Sequence, residues 1–272
     1  MATRMKIFGL GAVASLALAG LTAGAAPGHA SALAVGVVSL NLQLDEAAGS
    51  TVARDSSGLS HNGAVGSHVK MNGSYAALDR HAPDEGISYG LAHLIKVNDA
   101  ADGSLDPGSG TFTVELRYRS TVSFGNVIQK GQATSTGGQV KLQQPKGIVG
   151  CLFKSPTGQV AVNSKTPLND GQWHVVRCVR TATDLSMYVD GALRSHASKP
   201  SGTINNTKPW TIGGKSSCSS STVTCDYFAG DIDYVKLTKG WRVELPGRRA
   251  RLEPTKPLEE PDVEVEVEVD GE

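Results

Sequence analysis

Apolar and polar side chains alternate with a period of two along much of this chain, and no stretch of convincing length has a helical period. In the segment "TFTVELRYRS", apolar or aromatic residues point one way, and polar or charged residues point the other way. The first set is Phe112, Val114, Leu116 and Tyr118, and the second is Thr111, Thr113, Glu115, Arg117 and Arg119. Such alternation is typical of a strand with one face in the core and the other in solvent.

The same alternation recurs in "SLNLQLDE" (39–46) and "DLSMYVDG" (184–191), with turn signals at short intervals between the runs. About twelve such strands predict an all-β fold, an antiparallel two-sheet β-sandwich or jelly roll built as one domain. The segment "LAHLIKV" (91–97) is compatible with a short helix, and its structure is left open.

The first part of the chain, residues 1–34, has the composition of a secretory signal peptide. Two basic residues, Arg4 and Lys6, precede an uncharged run over about 7–26, and small residues with Ala-x-Ala spacing follow it. A transmembrane anchor is the alternative, but the run is rich in Ala and Gly and lacks the ~20 strongly apolar residues that a span needs. We therefore expect a secreted, extracellular protein with its folded domain at 35–240.

The last part of the chain, 241–272, contains spaced prolines, then basic residues, then an acidic end. Residues 259–272 carry eight acidic groups and no basic one. Self-repulsion among them favours a disordered acidic tail over a strand. The domain at 35–240 has 19 Lys/Arg and 16 Asp/Glu, which is too small an excess for a nucleic-acid-binding surface.

The chain has four cysteines, and an even number in an exported protein indicates disulfides. Three connectivities exist for four cysteines. We favour Cys151–Cys178, which would join two strands far apart in sequence, and Cys218–Cys225, which would close a small loop. A metal site is the alternative, but no CxxC spacing or neighbouring His pair supports it.

The stretch 168–193 combines a strand that starts at Trp173 with a turn signal at Asp190-Gly191. An Asp-Gly pair between two alternating runs predicts a type I′ hairpin, in which both turn residues take positive φ. Asp190 is therefore expected to be a turn residue and Trp173 a core residue. His174 has no nucleophile or set of carboxylates near it in sequence, so no catalytic role is predicted for it.

The segment "DGQWHVVRCVRTATDLSMYVDGAL" (170–193) resembles a strand and hairpin of the laminin-G-like (LamG) modules of bacterial secreted proteins. These modules belong to the concanavalin A-like lectin/glucanase superfamily. Three further segments resemble the family in the same order: "LQLDEAAGSTVARDSSGLSHNG", "GTFTVELRYRS" and "FAGDIDYVKL". The resemblance spans 38–238 and implies a concanavalin A-like jelly roll. Many members lack a cysteine loop like that at 218–225.

Some members of this superfamily cleave polysaccharides, and the related glucanases carry Glu-x-Asp-x-x-Glu on one strand. This chain has no such motif; its nearest match is Asp231-x-Asp233, on a strand face expected to continue into Val235 and Leu237. Nor does it contain a Gly-x-Ser-x-Gly elbow, a phosphate loop or a zinc signature. Without an acid–base pair, a non-catalytic module is favoured over a glycoside hydrolase.

The resemblance also implies a structural calcium ion. In the glucanase relatives, an Asp in a similar closing strand ligates calcium, which implies that role for Asp233 together with carbonyls from the amino-terminal loops. Asp55, in "RDSSGLSHNG", is a second candidate. Its alternative is an Asx-turn residue that binds its own loop. Calcium requires several oxygen ligands in either case.

The preferred function is a binding module that recognises an extracellular glycan or protein through its loops. The alternatives are a polysaccharide-active enzyme with an unrecognised site and a structural or adhesive cell-surface protein. Sugars stack on exposed aromatic rings, but Phe, Trp and Tyr make up only 5% of the chain. Trp173 and Trp210 are both expected to pack inside. Tyr75, Tyr89 and Tyr227 are candidates for surface aromatics.

Overall fold

The computed structural model of this protein describes residues 33–79, 91–218 and 225–244, and its regular structure is almost entirely β-strand. Sixteen strands lie within these residues. In chain order they are β1 (Leu33–Leu42), β2 (Val52–Ala53), β3 (Gly63–Val65), β4 (Lys70–Met71), β5 (Ala76–Leu78), β6 (Ile95–Val97), β7 (Phe112–Arg119), β8 (Asn126–Lys130), β9 (Gln139–Gln143), β10 (Gly150–Lys154), β11 (Gln159–Asn163), β12 (His174–Arg180), β13 (Leu185–Val189), β14 (Ala192–Ala197), β15 (Trp210–Ile212) and β16 (Gly230–Glu244). Two short 3₁₀ helices occupy Leu91–His93 and Pro145–Gly147.

The strands form two eight-stranded antiparallel sheets. Sheet A has the order β14-β13-β12-β7-β16-β5-β4, and β1 also pairs with β16. Sheet B has the order β11-β10-β9-β8-β15-β6-β3-β2. The predicted all-β, two-sheet sandwich is confirmed. It contains more strands than expected because β2 to β6 are only two or three residues long, too short to show a clear alternation.

The core lies between the two sheets and is filled by the inward-facing residues of the alternating runs. Along β7, residues are alternately buried and half-buried, as the sequence predicted. Cys151 of β10 and Cys178 of β12 form a disulfide that joins sheet B to sheet A, with their Cα atoms 6.5 Å apart. The second disulfide joins Cys218 to Cys225. Both predicted pairings are confirmed.

Trp210 is fully buried, as predicted, and its ring stacks on that of Phe112 with centroids 6.0 Å apart. Its indole N–H donates to the carbonyl oxygen of Leu105 at 2.9 Å, which satisfies the one polar group of the side chain. The segment 91–97, left open from sequence, is a single 3₁₀ turn followed by β6.

A side chain connects the two sheets along one side of the sandwich. β11 and β14 are edge strands of opposite sheets. The Ser195 hydroxyl of β14 donates to the carbonyl oxygen of Asn163 in β11 at 2.6 Å and accepts from its N–H at 3.1 Å. Edge strands expose unpaired backbone groups, and these two bonds satisfy those of Asn163.

The last strand ends at Glu244, beyond the predicted domain end at residue 240. Nearly all of the predicted signal peptide (1–34) and of the predicted acidic tail (241–272) lies outside the described residues, so that division of the chain stays a prediction. Within the described part of the chain, no helix has the length and apolar character needed to cross a membrane.

Candidate functional site

A tight turn at Asp190-Gly191 connects β13 to β14. The two residues have φ of 51° and 80°, both in the left-handed region, as predicted for a type I′ hairpin. Asp190 Oδ1 also accepts a hydrogen bond from the backbone N–H of Val175 at 2.8 Å. Asp190 is thus a turn residue that ties the hairpin to the start of β12.

His174 lies between two carboxylates. Its Nδ1 is 2.8 Å from Asp190 Oδ2, and its Nε2 is 3.1 Å from Asp170 Oδ1. Burial lowers the pKa of His174, but the hydrogen bonds and charges of the two aspartates outweigh burial and raise its pKa above the usual value. The expectation of no carboxylate set near His174 was wrong, because the hairpin returns Asp190 to it. Among the described residues no serine or cysteine hydrogen-bonds to His174, and the two carboxylates hold its ring beside the turn.

Trp173 lies half-buried on the outer face of sheet A, and the prediction that it packs in the core was wrong. The guanidinium groups of Arg117 and Arg119 lie 4.6 and 4.7 Å from its ring centroid. The ring of Tyr75 meets it edge-on, with centroids 5.6 Å apart. Along β12, Val176 and every second residue after it are buried, so the odd-numbered positions face outward. Trp173 is also an odd-numbered position, so the alternation places it on the outer face even though its ring is largely apolar.

Two aspartates of β16 lie against the same arginines. Arg117 Nη1 donates to Asp233 Oδ2 at 2.6 Å, and Arg119 Nε donates to Asp231 Oδ2 at 2.7 Å. Arg119 Nη2 also donates to the Tyr75 hydroxyl at 3.3 Å. We call the following six residues the Trp173 cluster: Tyr75, Arg117, Arg119, Trp173, Asp231 and Asp233. The cluster combines flat rings, cations and carboxylates beside three adjacent strands, β12, β7 and β16.

Asp231 and Asp233 both lie on the outer face, but this face does not continue into Val235, as the sequence had suggested. The register between β16 and β7 shifts between Ile232 and Tyr234, which makes Asp233 the extra residue of a β-bulge. A bulge moves the alternation by one residue, so Val235 is buried and Tyr234 faces outward. Each of the two carboxylates is ion-paired with an arginine.

Half-buried aromatic side chains are concentrated on this face. In the described residues there are five, and four of them lie on or beside the outer face of sheet A. These four are Tyr75, Trp173, Tyr188 and Tyr234. Tyr227, expected as a surface candidate, is buried, and Tyr89 lies outside the described residues. The outer face of sheet A therefore carries most of the partly accessible aromatic area of the described residues.

A shallow groove of about 470 Å³ lies next to the Trp173 cluster on the same face. Its lining includes Glu115, Arg177, Ser186, Tyr188, Lys236 and Thr238. We call it the Arg177 groove. Beside it, the Tyr234 hydroxyl donates to Glu115 Oε1 at 3.1 Å. Burial and the Glu115 charge raise the pKa of Tyr234 to about 12, so its hydroxyl remains a neutral donor near pH 7.

The carboxylate of Asp55 is surrounded by donors of its own loop region. Oδ1 accepts from the backbone N–H groups of Asn41 and Ser57, each at 2.9 Å. Oδ2 accepts from the Ser57 hydroxyl at 2.7 Å and the His61 N–H at 2.9 Å. Burial raises the pKa of Asp55, but these hydrogen bonds outweigh burial and lower its pKa below the usual value. The arrangement matches the Asx-turn alternative.

Neither candidate calcium ligand has the surroundings that calcium requires. The oxygens of Asp55 face N–H and O–H donors, and Asp233 faces the guanidinium of Arg117, whereas calcium needs further oxygen ligands. Across residues 33–79, 91–218 and 225–244, no group of three or more His, Cys, Asp or Glu side chains could hold a metal ion. The surroundings of these two aspartates therefore do not fit calcium.

Sequence reasoning missed how the cluster is assembled, although it had placed Arg117 and Arg119 on the polar face of β7. In the structure His174 pairs with Tyr118, so the preceding residue, Trp173, is level with Arg119 on the neighbouring strand. The pattern of each strand shows which residues share a face. The register between strands, which brings the tryptophan to the arginines, depends on long-range pairing.

Comparison with known families agrees with this fold. A laminin G family model, described as concanavalin A-like lectin/glucanases superfamily, matches residues 95–242, which is more than half of the chain. The chain belongs to this superfamily. The match includes β7 and β12 and nearly all of β16, the strands that carry most of the Trp173 cluster.

The chain is also similar to parts of neurexins. It is 30% identical over 115 residues to neurexin-3-beta of Homo sapiens, a match that covers 40% of this chain and 18% of the neurexin. It is 29% identical over 131 residues to neurexin-3a of Danio rerio, covering 46% of this chain and 8% of the neurexin. The chain thus spans less than a fifth of these curated relatives. Both relatives are animal proteins and lend no support to the bacterial source suggested by the resemblance.

Solved structures with the same fold include botulinum neurotoxin binding domains. One, titled as the binding domain of botulinum neurotoxin DC in complex with SialylT, has a TM-score of 0.56 at 14% identity and covers 75% of this chain and 48% of the toxin chain. Another, whose title reports that cell entry of botulinum neurotoxin type C depends on interaction with two ganglioside molecules, has a TM-score of 0.55 at 13% identity, with coverages of 75% and 48%. At these identities the similarity shows the fold alone.

Proposed function

We propose that this protein is an exported, non-catalytic module that binds glycans on the outer face of sheet A. The observation that carries the proposal is the concentration of half-buried aromatic rings and charged side chains on this one face. Export is proposed from the signal-peptide composition of the first residues and from the two disulfides, which form and persist in oxidising compartments.

The chemistry of the Trp173 cluster suits a sugar. The apolar side of a sugar ring packs on an aromatic ring, and its hydroxyl groups need both donors and acceptors. A guanidinium has five N–H groups, and Arg117 uses one of them in its bond to Asp233. The remaining donors, and the carboxylate oxygens beside them, are available to hydroxyl groups. Because ion pairing fixes the arginines, little side-chain entropy is lost when a ligand binds.

Two of the comparison structures are consistent with glycan binding by this fold. The titles of those toxin structures name SialylT and gangliosides as what the toxins bind. With 13–14% identity, these structures do not indicate which surface of the present chain binds or which sugar it takes. The proposal for this chain therefore depends on its own outer face.

The test is a glycan array followed by calorimetry on the strongest hit, with Trp173→Ala as the variant. We expect the variant to lose about 2 kcal/mol of binding free energy, roughly thirty-fold in affinity, as for a central tryptophan in a binding surface. The control is Leu152→Ala, which removes a half-buried side chain from the outer face of sheet B and should leave affinity unchanged. Unchanged affinity in Trp173→Ala would reject the outer face of sheet A as the binding surface.

A reducing-sugar assay on the same polysaccharides distinguishes binding from cleavage. We expect no sugar release, because the two outer aspartates of β16 are held in ion pairs. Sugar release that Asp231→Asn abolishes would establish a hydrolase in place of the proposed module.

A further inference from the structure

Arg177 of β12 lines the Arg177 groove, and its side chain faces outward from sheet A. In the described residues no hydrogen bond or ion pair holds its guanidinium, and its Nε is buried with no acceptor. Its guanidinium lies over the ring of Tyr188, 4.7 Å from the centroid, which fixes its position. Because Nε is buried, an acceptor from outside the chain would meet the Nη groups of Arg177, which lines the groove. The ring contact with Tyr188 makes the side chain a preformed donor for such an acceptor.

A second cation lies on the same cross-strand row. The registers of sheet A place Glu115 of β7 between Arg177 of β12 and Lys236 of β16. Glu115 accepts a hydrogen bond from Tyr234 and forms no ion pair with either cation. Lys236 likewise has no ion-pair partner within the described ranges. The Arg177 groove thus holds two unpaired cations and one carboxylate, whereas both arginines of the Trp173 cluster are neutralised by aspartates.

We propose that the Arg177 groove binds the acidic group, a carboxylate or a sulfate, of a sugar residue in a glycan; this inference rests on the glycan binding proposed above. The planar fork of an arginine matches two oxygens of such a group, and a lysine adds a compact charge. Along β7, Arg117 lies two residues from Glu115 and Arg119 lies four residues from it, which corresponds to roughly 7 Å and roughly 13 Å. A short oligosaccharide can therefore contact the groove and the Trp173 cluster together.

The position of the groove favours a glycan over an acidic peptide. It lies over β13, β12, β7 and β16, each of which has a neighbouring strand on both sides in sheet A. An extended peptide is commonly recognised through the free backbone groups of an edge strand, and interior strands have none to offer. The groove offers side-chain hydroxyls instead, including those of Ser186 and Thr238, which suit a ligand rich in hydroxyl groups.

Calorimetry on the full chain with two matched polymer pairs tests the inference. The pairs are polygalacturonate with its methyl ester, and dextran sulfate with dextran, which separate carboxylate from sulfate recognition. We expect at least one charged polymer to bind about ten-fold or more tightly than its uncharged partner, as one charge-assisted contact allows. The preference should fall as salt is raised.

Four variants test which residues cause the preference for the charged polymer. Arg177→Gln and Lys236→Gln should each reduce the preference for the charged polymer, and Arg177→Lys should retain only part of it, because an ammonium lacks the planar fork. Lys199→Gln removes an exposed lysine outside the groove and should leave the preference unchanged. Thermal unfolding of each variant verifies that it is folded.

The outcomes separate this inference from the proposed function. Equal affinity within both pairs, or a preference unchanged in Arg177→Gln and Lys236→Gln, would overturn the inference. Binding of polyglutamate as tight as that of the charged polymers, and lost in Arg177→Gln, would assign the groove to acidic protein segments and also overturn it. Neutral polymers that bind through Trp173 alone would leave the proposed function intact, and retained binding in both Trp173→Ala and Arg177→Gln would reject both proposals.

Discussion

Arg180 is almost completely buried at the end of β12, with 1% of its surface exposed. Its Nη1 donates to the carbonyl oxygens of Gly108 and Gly202 at 3.0 and 3.1 Å. Its Nη2 donates to those of Pro107 and Gly110 at 2.7 and 2.6 Å. Burial lowers the pKa of Arg180 to about 10, which leaves it charged near pH 7. One guanidinium thus holds two connecting segments, the one at 107–110 and the one that contains Gly202, against the end of sheet A.

Replacement of Arg180 by methionine keeps most of the side-chain volume and removes these four bonds, together with a longer one from Nη1 to the Ser201 hydroxyl at 3.4 Å. Hydrogen bonds from a charged donor contribute about 1.5–3 kcal/mol each, roughly 6–12 kcal/mol for the four. Burial of the guanidinium itself costs several kcal/mol, which the variant no longer incurs. We therefore expect the free energy of unfolding to fall by about 3–5 kcal/mol, which lowers the Tm by roughly 6–20 °C for a domain of this size.

Urea unfolding followed by circular dichroism, with the disulfides intact, measures this loss. The matched control is Arg177→Met on the same strand, because Arg177 faces outward and has no hydrogen bond within the described residues. Arg177→Met should lower the free energy of unfolding by less than about 1 kcal/mol. If Arg180→Met stays within 1 kcal/mol of the wild type, or if the two variants lose equal stability, the assigned role of the buried guanidinium is refuted.

Three further outcomes follow from the structure. His174 has a raised pKa, so its contribution to stability is present below about pH 6.5 and is lost as pH rises through its folded pKa. The Tm should therefore fall as pH rises above about 6.5, and His174→Gln should flatten that fall. Replacing Cys151 and Cys178 together by alanine should reduce stability by about 3.5 kcal/mol through loop entropy alone, and an unchanged midpoint of urea unfolding would contradict this. Since donors already surround Asp55 and Asp233, a strong chelator should leave the Tm unchanged, and a fall of several degrees would instead show that calcium supports the fold.

Much of the fold follows from local pattern. The alternation along β7 identified the buried face of that strand, and the Asp190-Gly191 pair identified a hairpin, because both depend on residues that are adjacent in sequence. The pairing of Cys151 with Cys178 was also predicted correctly, although sequence alone allowed two other connectivities. The outward-facing residues of β16 were predicted correctly only up to its bulge. A single extra residue, Asp233, reverses the alternation after it, and no local signal marks that insertion.

The candidate site was the harder part to predict. Trp173 was assigned to the core because it lies in a strand pattern, yet its strand position faces outward. His174 was expected to lack carboxylates, and the hairpin supplies one of the two that surround it. The first error concerns the face of a strand, and the second concerns a partner that a turn brings back from another part of the chain. The number of residues between the partners gave no indication that they would meet.

By itself, the sequence determined that this chain forms antiparallel strands with one polar face, because the two-residue period of a strand is a property of the local backbone. The tertiary structure alone decided which polar faces lie side by side. The register of β12, β7 and β16 brings a tryptophan, two paired arginines and an unpaired Arg177 onto one surface. Register is set by the packing of the whole sandwich core, so a surface built across several strands becomes visible only when that core is assembled.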